Sequence, residues 1–205
     1  HMSARRQRQM CIRDSIYTLK DEKNNYLKTS LGSGVIMSSD GIIVTNFHVI
    51  KNAVQIKILL HDGRESPAEI IDWDREIDLA ILKVNLNDLK PISLGNPDNV
   101  KVGDIVLAIG NPKGIGQAVT QGIISAVGIN GLRLNSLENF IQTDAAINEG
   151  SSGGALIDIY GNLLGINTLS LNGNGASGIG FAIPVDEVKK VTSDIIKYGL
   201  SLIHI

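Results

Sequence analysis

Residues 40–50 read DGIIVTNFHVI, and this stretch contains the local pattern that decides the fold. Asp40-Gly41 is a hairpin-turn signal, and the run at 41–45 that follows it is short, apolar and rich in β-branched residues. A brief apolar run bounded by turn residues predicts a buried strand rather than a helix. His48 comes just after this run, so a titratable ring is expected at the end of a buried strand.

The same pattern recurs along most of the chain. Further turn signals occur at Asp62-Gly63 and at 160–162. Because the runs are short and closely spaced, they predict an all-β barrel or sandwich. The exception is the end of the chain, where apolar residues recur at helical spacing from Pro184 up to Gly199 and predict one terminal helix. The other strand-like runs are 35–37, 53–60, 68–72, 79–84, 105–109 and 117–127.

Composition excludes several classes of protein. With 205 residues, 43% hydrophobic and 20% charged, the chain can bury the core of one domain or of two small halves. Nineteen basic against 21 acidic residues provide no electrostatic footprint for a nucleic acid, so no nucleic-acid partner is expected. The single cysteine, Cys11, can form neither an internal disulfide nor a thiolate metal site, and we expect no metal and no cofactor. The apolar runs are too short to span a bilayer.

The two ends of the chain look foreign to the rest. His1-Met2 resembles a cloning scar, and residues 10–15 and 201–205 resemble translated sequencing adaptors. We therefore predict a non-native-looking tail at 1–15 and end at 200–205, and expect the native gene to extend beyond both. The domain between them, 16–199, is predicted to contain strand-rich halves at about 31–90 and 100–183 and the helix at 184–198.

Two glycine-rich segments could suggest phosphate binding. Residues 173–178, GNGASG, have the spacing of a dinucleotide loop, but the strand-like sequence IGFAIP follows where that loop needs a helix. Residues 110–114, GNPKG, lack the serine or threonine that binds magnesium after the lysine. Both segments are interpreted as loops or turns.

Elimination among the four histidines leaves one candidate base. His1 belongs to the scar, His204 lies in the suspect end, and His61 lies at a polar hairpin tip where exposure explains it. His48 remains, with a core histidine hydrogen-bonded to the backbone as the alternative interpretation. Two further residues favour a catalytic role for His48.

Ser152 lies between glycines in the segment 148–156, NEGSSGGAL. Glycines on both sides permit a sharp turn, convergent amides and close approach of a substrate, which an attacking hydroxyl needs together with a base. Asp78 is set against the apolar run at 79–84, where an unpaired charge is costly, and it could orient His48. A plain glycine turn and a strand-end cap are the alternatives for Ser152 and Asp78.

The order His48, Asp78, Ser152 resembles the chymotrypsin-like serine proteases and, within them, the HtrA/Deg family of quality-control proteases. The resemblance covers about residues 31–199. Its individual motifs are weak, but the ordered set is specific. The segments that carry it are GSGVI at 32–36, TNFHV at 45–49, DLA at 78–80, GNP at 110–112, QGIIS at 121–125, QTDA at 142–145, GGAL at 153–156 and GIGFAIP at 178–184.

The resemblance implies two six-stranded antiparallel β-barrels with a C-terminal helix and the three residues in the cleft between the barrels. The amides of Gly150 and Ser152 would form the oxyanion hole. The family usually has Asn directly before the nucleophile, at a position that helps shape the hole, whereas this chain departs from that pattern with Ser151. The substrate pocket would be built from Ala146, Ile147, Asn148, Glu149, Asn167, Thr168, Leu169 and Ser170.

Specificity and setting follow from the same resemblance. Ala146 and Ile147 offer no buried carboxylate, so a small aliphatic P1 residue is expected. The family implies polypeptide substrates, a homotrimer and the bacterial periplasm, and no PDZ domain follows in this chain. The short segment at 17–31 and the motifs at 106–112 and 167–170 are similar to the stress-sensor (DegS) type, which has an N-terminal membrane anchor missing here, whereas 137–142 is closer to the DegP or DegQ type.

Two alternative functions use similar residues. A protease fold that holds unfolded peptides in an inactive resting state is the competing class, supported by Ser151. An esterase or lipase would require the order Ser, Asp, His and a nucleophile on a strand-to-helix turn, which the chain lacks.

The loops at 111–116, 130–139 and 169–178 would surround the site, and their counterparts in the family switch between disordered and ordered states.

Overall fold

The computed structural model describes residues 14–22, 26–111, 117–130, 139–170 and 178–198. Within these ranges the regular structure is mostly strands, with a short helix after the third strand and a longer one at the end. A 3₁₀ turn, Pro97–Asn99, lies between the halves. The elements are β1 (Asp14–Glu22), β2 (Tyr26–Ile36), β3 (Ile42–Asn46), α1 (Phe47–Ile50), β4 (Gln55–Leu59), β5 (Glu65–Asp74), β6 (Leu79–Val84), β7 (Ser93–Leu94), β8 (Ile105–Gly110), β9 (Ala118–Ile129), β10 (Phe140–Thr143), β11 (Ala155–Asp158), β12 (Asn162–Ser170), β13 (Gly180–Pro184) and α2 (Val185–Tyr198).

The first six strands close into a barrel with the order β1-β2-β3-β6-β5-β4. Strand β3 of this barrel is buried at all five positions and pairs antiparallel with β2 and β6. The predicted turn at Asp40-Gly41 connects β2 to β3, and Gly41 has a φ of 103°. This turn therefore sets the direction of the strand that leads to His48.

The second barrel contains β8 to β13 in the order β11-β8-β9-β10-β13-β12, and pairing of β11 with β12 closes the ring. The short strand β7, in the connection between the barrels, adds to β12 in parallel. Two six-stranded antiparallel barrels and a terminal helix confirm the predicted fold class.

One hydrophobic cluster runs through both barrels. It joins Val44 and Ile81 of the first barrel to Ile109 and Ile157 of the second, all with at most 1% exposure. Val188 of α2 packs into the same cluster. The cleft between the barrels is therefore supported by continuous apolar packing.

Three predicted boundaries differ from the structure. The first barrel begins at Asp14, not near residue 31, because β1 pairs with both β2 and β4 and closes the ring. Its sequence, DSIYTLKDE, is too polar to show a strand period, so the sequence analysis missed it. Ser15, assigned to the tail, lies opposite Ser33 in this sheet. Pro184 ends β13, and the helix begins one residue later.

Several predictions fall outside the described residues. These include most of the three loops expected around the site and all but the last residue of the glycine-rich segment at 173–178. They also include the terminal segments at 1–13 and 199–205. In the described part of the chain, no helix is both long enough and apolar enough to cross a bilayer.

Candidate active site

His48 and Asp78 meet because two neighbouring strands bring them together. Asn46 at the end of β3 pairs with Leu79 at the start of β6, so the residues just beyond these positions are adjacent. His48 Nδ1 lies 2.7 Å from Asp78 Oδ2, and the backbone amide of His48 donates to Asp78 Oδ1 at 2.9 Å. One carboxylate therefore orients both the ring and the main chain of His48.

Asp78 is itself held in an uncommon backbone conformation. Its φ is 59°, in the left-handed region that non-glycine residues rarely occupy. Its carbonyl accepts hydrogen bonds from Phe47 N at 3.1 Å and from Asn46 Nδ2 at 3.0 Å. Backbone strain of this kind is typical of functional sites, and here the surrounding bonds maintain it.

Thr168 of β12 supplies a contact that the sequence analysis missed. Its hydroxyl donates to Asp78 Oδ2 at 2.9 Å, and it comes from the second barrel, whereas His48 and Asp78 come from the first. The Asp78 side chain is only 12% exposed, so this bond satisfies a largely buried charge. No local sequence pattern indicates it, because 90 residues separate the two partners.

The turn that carries Ser152 depends on its glycines. Gly153 has a φ of 83°, and a Cβ placed there would lie 2.2 Å from the Ser33 carbonyl oxygen and 2.3 Å from Thr45 Oγ1. Only a residue without a side chain lets this turn approach the first barrel so closely. Gly150 likewise has a positive φ, of 92°.

The Ser152 hydroxyl donates to the carbonyl oxygen of Thr168 at 2.9 Å. Thr168 therefore contacts both ends of the predicted triad, with its side chain on Asp78 and its carbonyl on Ser152. Within the described residues the Ser152 hydroxyl makes no hydrogen bond to His48. Proton transfer to His48 requires this hydroxyl to leave the carbonyl.

Two amides in the same turn are candidates to bind a developing oxyanion. Within the part of the chain that the structure describes, the amides of Gly150 and Ser152 donate to no protein acceptor, whereas Ser151 N donates to Asn148 O at 2.9 Å. Ser151, 7% exposed, packs against Gly110, where an added Cβ would lie 2.6 Å from the Ser151 Cα. Gly150 and Ser152 thus retain the free donors that an oxyanion hole requires.

Four of the predicted pocket residues lie just before this turn. Ala146, Asn148 and Glu149 are exposed, whereas Ile147 is buried at 3% exposure. An added Cβ on Gly180 would lie 2.8 Å from Ile147 Cδ1, so the isoleucine packs against β13. The only carboxylate of the four is therefore on the surface.

The β12 half of the predicted pocket needs correction. Asn167 is fully buried, and its amide donates to the carbonyls of Ile109 and Ala155, so its side chain serves the barrel interior. The Thr168 side chain is committed to Asp78. Neither side chain lines an open pocket. Leu169 and Ser170 pair through their backbone with Phe181 and Gly180 of β13.

The described part of the chain offers no candidate metal site. Among the described residues, no group of three or more His, Cys, Asp or Glu side chains could hold a metal ion. The chemistry that this arrangement supports is nucleophilic attack by an alcohol, with an imidazole as base and a carboxylate that orients it.

Two closed barrels with such a site between them define a trypsin-like peptidase domain, and the family model of that name matches residues 32–166. The chain belongs to the HtrA family of these serine proteases. It is 50% identical over 173 residues to the periplasmic serine endoprotease DegP of Escherichia coli K12, covering 83% of this chain and 36% of DegP. It is 49% identical over 172 residues to the pH-dependent endoprotease DegQ of the same organism, covering 82% of this chain and 38% of DegQ.

Solved structures agree with this assignment. The HtrA-type protease AlgW with a tripeptide superimposes with a TM-score of 0.86 at 51% identity, covering 95% of this chain and 63% of AlgW. AlgW with a decapeptide gives a TM-score of 0.84 at 44% identity, covering 95% and 67%. The chain spans little more than a third of the length of its curated relatives DegP and DegQ.

Proposed function

We propose that this chain is the protease domain of a serine endopeptidase that cleaves peptide bonds with Ser152, His48 and Asp78. The observation that carries the proposal is the 2.7 Å contact between His48 Nδ1 and Asp78 Oδ2, which Thr168 connects to Ser152. The relatives named serine endoproteases support the same chemistry.

The reaction proceeds through an acyl-enzyme. Ser152 Oγ attacks the carbonyl carbon of the scissile bond while His48 Nε2 accepts the hydroxyl proton, and Asp78 stabilises the imidazolium. The amides of Gly150 and Ser152 bind the oxyanion. His48 then donates its proton to the leaving amine, and an acyl ester remains on Ser152. A water molecule, deprotonated by His48, attacks this ester, releases the carboxylic acid and restores the Ser152 hydroxyl.

The neighbouring serine offers a matched control for the nucleophile. The chain, Ser152→Ala and Ser151→Ala are treated with a fluorophosphonate probe and assayed for casein cleavage. We expect Ser152→Ala to lose labelling and at least about 10³-fold of the activity, because the nucleophile is absent. Ser151→Ala should still label. Unchanged labelling of Ser152→Ala would show that another residue is the nucleophile.

The proposed substrate preference is a small aliphatic residue before the scissile bond. It is supported by Ala146 and by the buried Ile147, and by the surface position of Glu149, so that residues 146–149 offer no buried carboxylate to pair with a basic side chain. A panel of peptides that differ only at P1 should show higher kcat/KM for Val or Ala than for Arg. Faster cleavage after Arg would contradict this preference.

We further propose a periplasmic homotrimer that acts on misfolded or regulatory proteins, with the full-length protein of the stress-sensor type and anchored at its N-terminus. The periplasmic relatives support the compartment. Multi-angle light scattering should find a mass near three times that of one chain, and fractionation of cells that express the full-length gene should find it with the inner membrane. A monomeric mass at all concentrations would contradict the trimer, and recovery in the periplasmic fluid would contradict the anchor.

A further inference from the structure

Ser33 on β2 connects the first barrel to the turn at residues 150–153 of the second barrel, which carries Ser152 and is called the nucleophile turn below. It is 3% exposed. Its hydroxyl donates to the Gly150 carbonyl at 2.8 Å and accepts from the amide of Asn111 at 2.9 Å. Its backbone amide donates to the Ser152 carbonyl at 2.8 Å. One buried serine therefore holds three separate backbone groups of the second barrel.

Ser33 is itself firmly positioned by its own barrel. Thr45 Oγ1 donates to the Ser33 carbonyl at 2.7 Å, and β1 pairs with β2 on the other side. The close approach of Gly153 to the Ser33 carbonyl leaves no room for a side chain between them. Movement of the nucleophile turn relative to Ser33 therefore requires several bonds to break together.

The bond to Gly150 matters most for chemistry. Gly150 has no Cβ, so its backbone can adopt many conformations at similar free energy. Because its carbonyl is bonded to Ser33, rotation about its ψ is restricted, and the Ser152 carbonyl is restricted by the same residue. Gly150 and Ser152 are also the residues of this turn whose amides donate to no acceptor among the described residues and so are available to an oxyanion.

From this geometry we propose that Ser33 is a positioning residue for the oxyanion hole, acting through Gly150 and Ser152. The inference rests on the proposed protease function. Without the hydroxyl, the Gly150 carbonyl and the Asn111 amide lose a buried partner, and Gly150 can rotate to regain one. That rotation would turn the peptide plane between Gly150 and Ser151, and the change in backbone path would displace the amides of Gly150 and Ser152 from the position of the oxyanion.

A positioning role predicts a particular kinetic signature. The oxyanion forms in the transition state and not in the bound substrate, so misplaced donors lower kcat and leave KM nearly unchanged. Removing one such donor typically costs about 100-fold or more, and a displaced donor should cost at least about 10-fold. A purely structural role would lower the melting temperature and the fraction of active sites without changing kcat for each remaining site.

The experiment compares Ser33→Ala and Ser33→Thr with the control Ser66→Ala. Ser66 is also buried in the first barrel, at 6% exposure, and its hydroxyl donates to the neighbouring Pro67 carbonyl. Active sites are counted by fluorophosphonate labelling, and kcat, KM and the inhibition constant of a peptide boronate are measured. The boronate forms a tetrahedral adduct with a serine hydroxyl and so reports on the oxyanion hole.

For Ser33→Ala we expect kcat per labelled site to fall at least about 10-fold, with the boronate inhibition constant raised by a similar factor and KM changed by less than about threefold. Ser33→Thr retains a hydroxyl and should recover much of the loss. Ser66→Ala should match the parent chain. Parent values of kcat and boronate affinity in Ser33→Ala would overturn the proposal.

A second measurement does not depend on activity. Hydrogen exchange followed by mass spectrometry should show faster exchange of the amides at 148–154 in Ser33→Ala than in Ser66→Ala, because the turn has lost its partner. Equal exchange in the two variants would overturn the positioning role. If the parent chain itself neither labels nor cleaves, the proposed function fails, while the exchange comparison still decides the role of Ser33.

Discussion

At the scale of single residues, Thr168 shows how the site joins the two barrels. Its hydroxyl donates a hydrogen bond to Asp78, the carboxylate proposed to orient the base, and its carbonyl accepts a hydrogen bond from the hydroxyl of the proposed nucleophile, Ser152. The sequence predicted only that Thr168 would be part of the substrate pocket. The hydrogen bond from its hydroxyl to Asp78 predicts a separate and testable role for Thr168 in orienting His48.

Thr168→Val should lower kcat by about 10-fold or more. Valine keeps the shape of threonine but leaves Asp78 without one of its donors, and a hydrogen bond to a charged group contributes about 1.5–3 kcal/mol. The backbone carbonyl that faces Ser152 remains. Steady-state kinetics on a peptide substrate would measure the effect, with Thr168→Ser as the control that retains the hydroxyl. A Thr168→Val chain with parent kcat would show that this bond does not assist the base.

At the scale of elements, the β2–β3 turn depends on Gly41. A Cβ there would lie 2.1 Å from the Val84 carbonyl oxygen, in addition to the strain of a φ of 103°. Gly63 in the β4–β5 turn has a similar φ of 88°, but an added Cβ would meet no atom within 4 Å. Comparing substitutions in the two turns therefore distinguishes the free-energy cost of backbone strain from that of a steric clash.

Both glycine-to-alanine changes should destabilise the protein, and Gly41→Ala should do so more. Backbone strain alone costs about 1–2 kcal/mol in the left-handed region, and this is the loss expected for Gly63→Ala. Gly41→Ala should lower the free energy of unfolding further, because the β6 backbone must move. Urea unfolding would measure both variants, and equal losses would show that the Val84 carbonyl yields without cost.

Local sequence signals were strong enough to predict some strands and too weak to predict others. The turn at Asp40-Gly41 and the runs that became β3, β6 and β8 were recognisable because apolar residues and turn residues alternate clearly. β1 was not recognised, because it becomes a strand by pairing with β2 and β4 rather than by its own pattern. Tertiary pairing outweighed weak local preference there.

At the scale of the whole molecule, the shared hydrophobic cluster makes the barrels one packed body. Ile58 belongs instead to a cluster confined to the first barrel and is fully buried. Trp73, the one tryptophan in the sequence, also lies in the first barrel, so its fluorescence reports on that half alone. Exchange of backbone amides in β8 to β13 reports on the other half.

We expect Ile58→Ala to weaken both halves together. Deleting this much buried side chain typically lowers the free energy of unfolding by about 2–5 kcal/mol. If the barrels unfold as one unit, the most protected amides of the second barrel should lose protection by the same amount that Trp73 fluorescence reports for the first. Unchanged protection in the second barrel would show that the halves unfold separately.

The sequence by itself indicated the strand-rich class, the main hairpin turns and the terminal helix, because each is marked by local spacing. It suggested the three residues proposed for catalysis through their chemical types and their order along the chain. The structure decided the contacts of those residues. Asp78 meets His48 across 30 positions and Thr168 across 90, and Ser33 meets Gly150 across 117. Such hydrogen bonds depend on distances and directions that exist only once both barrels have closed and packed together, so no local pattern can encode them.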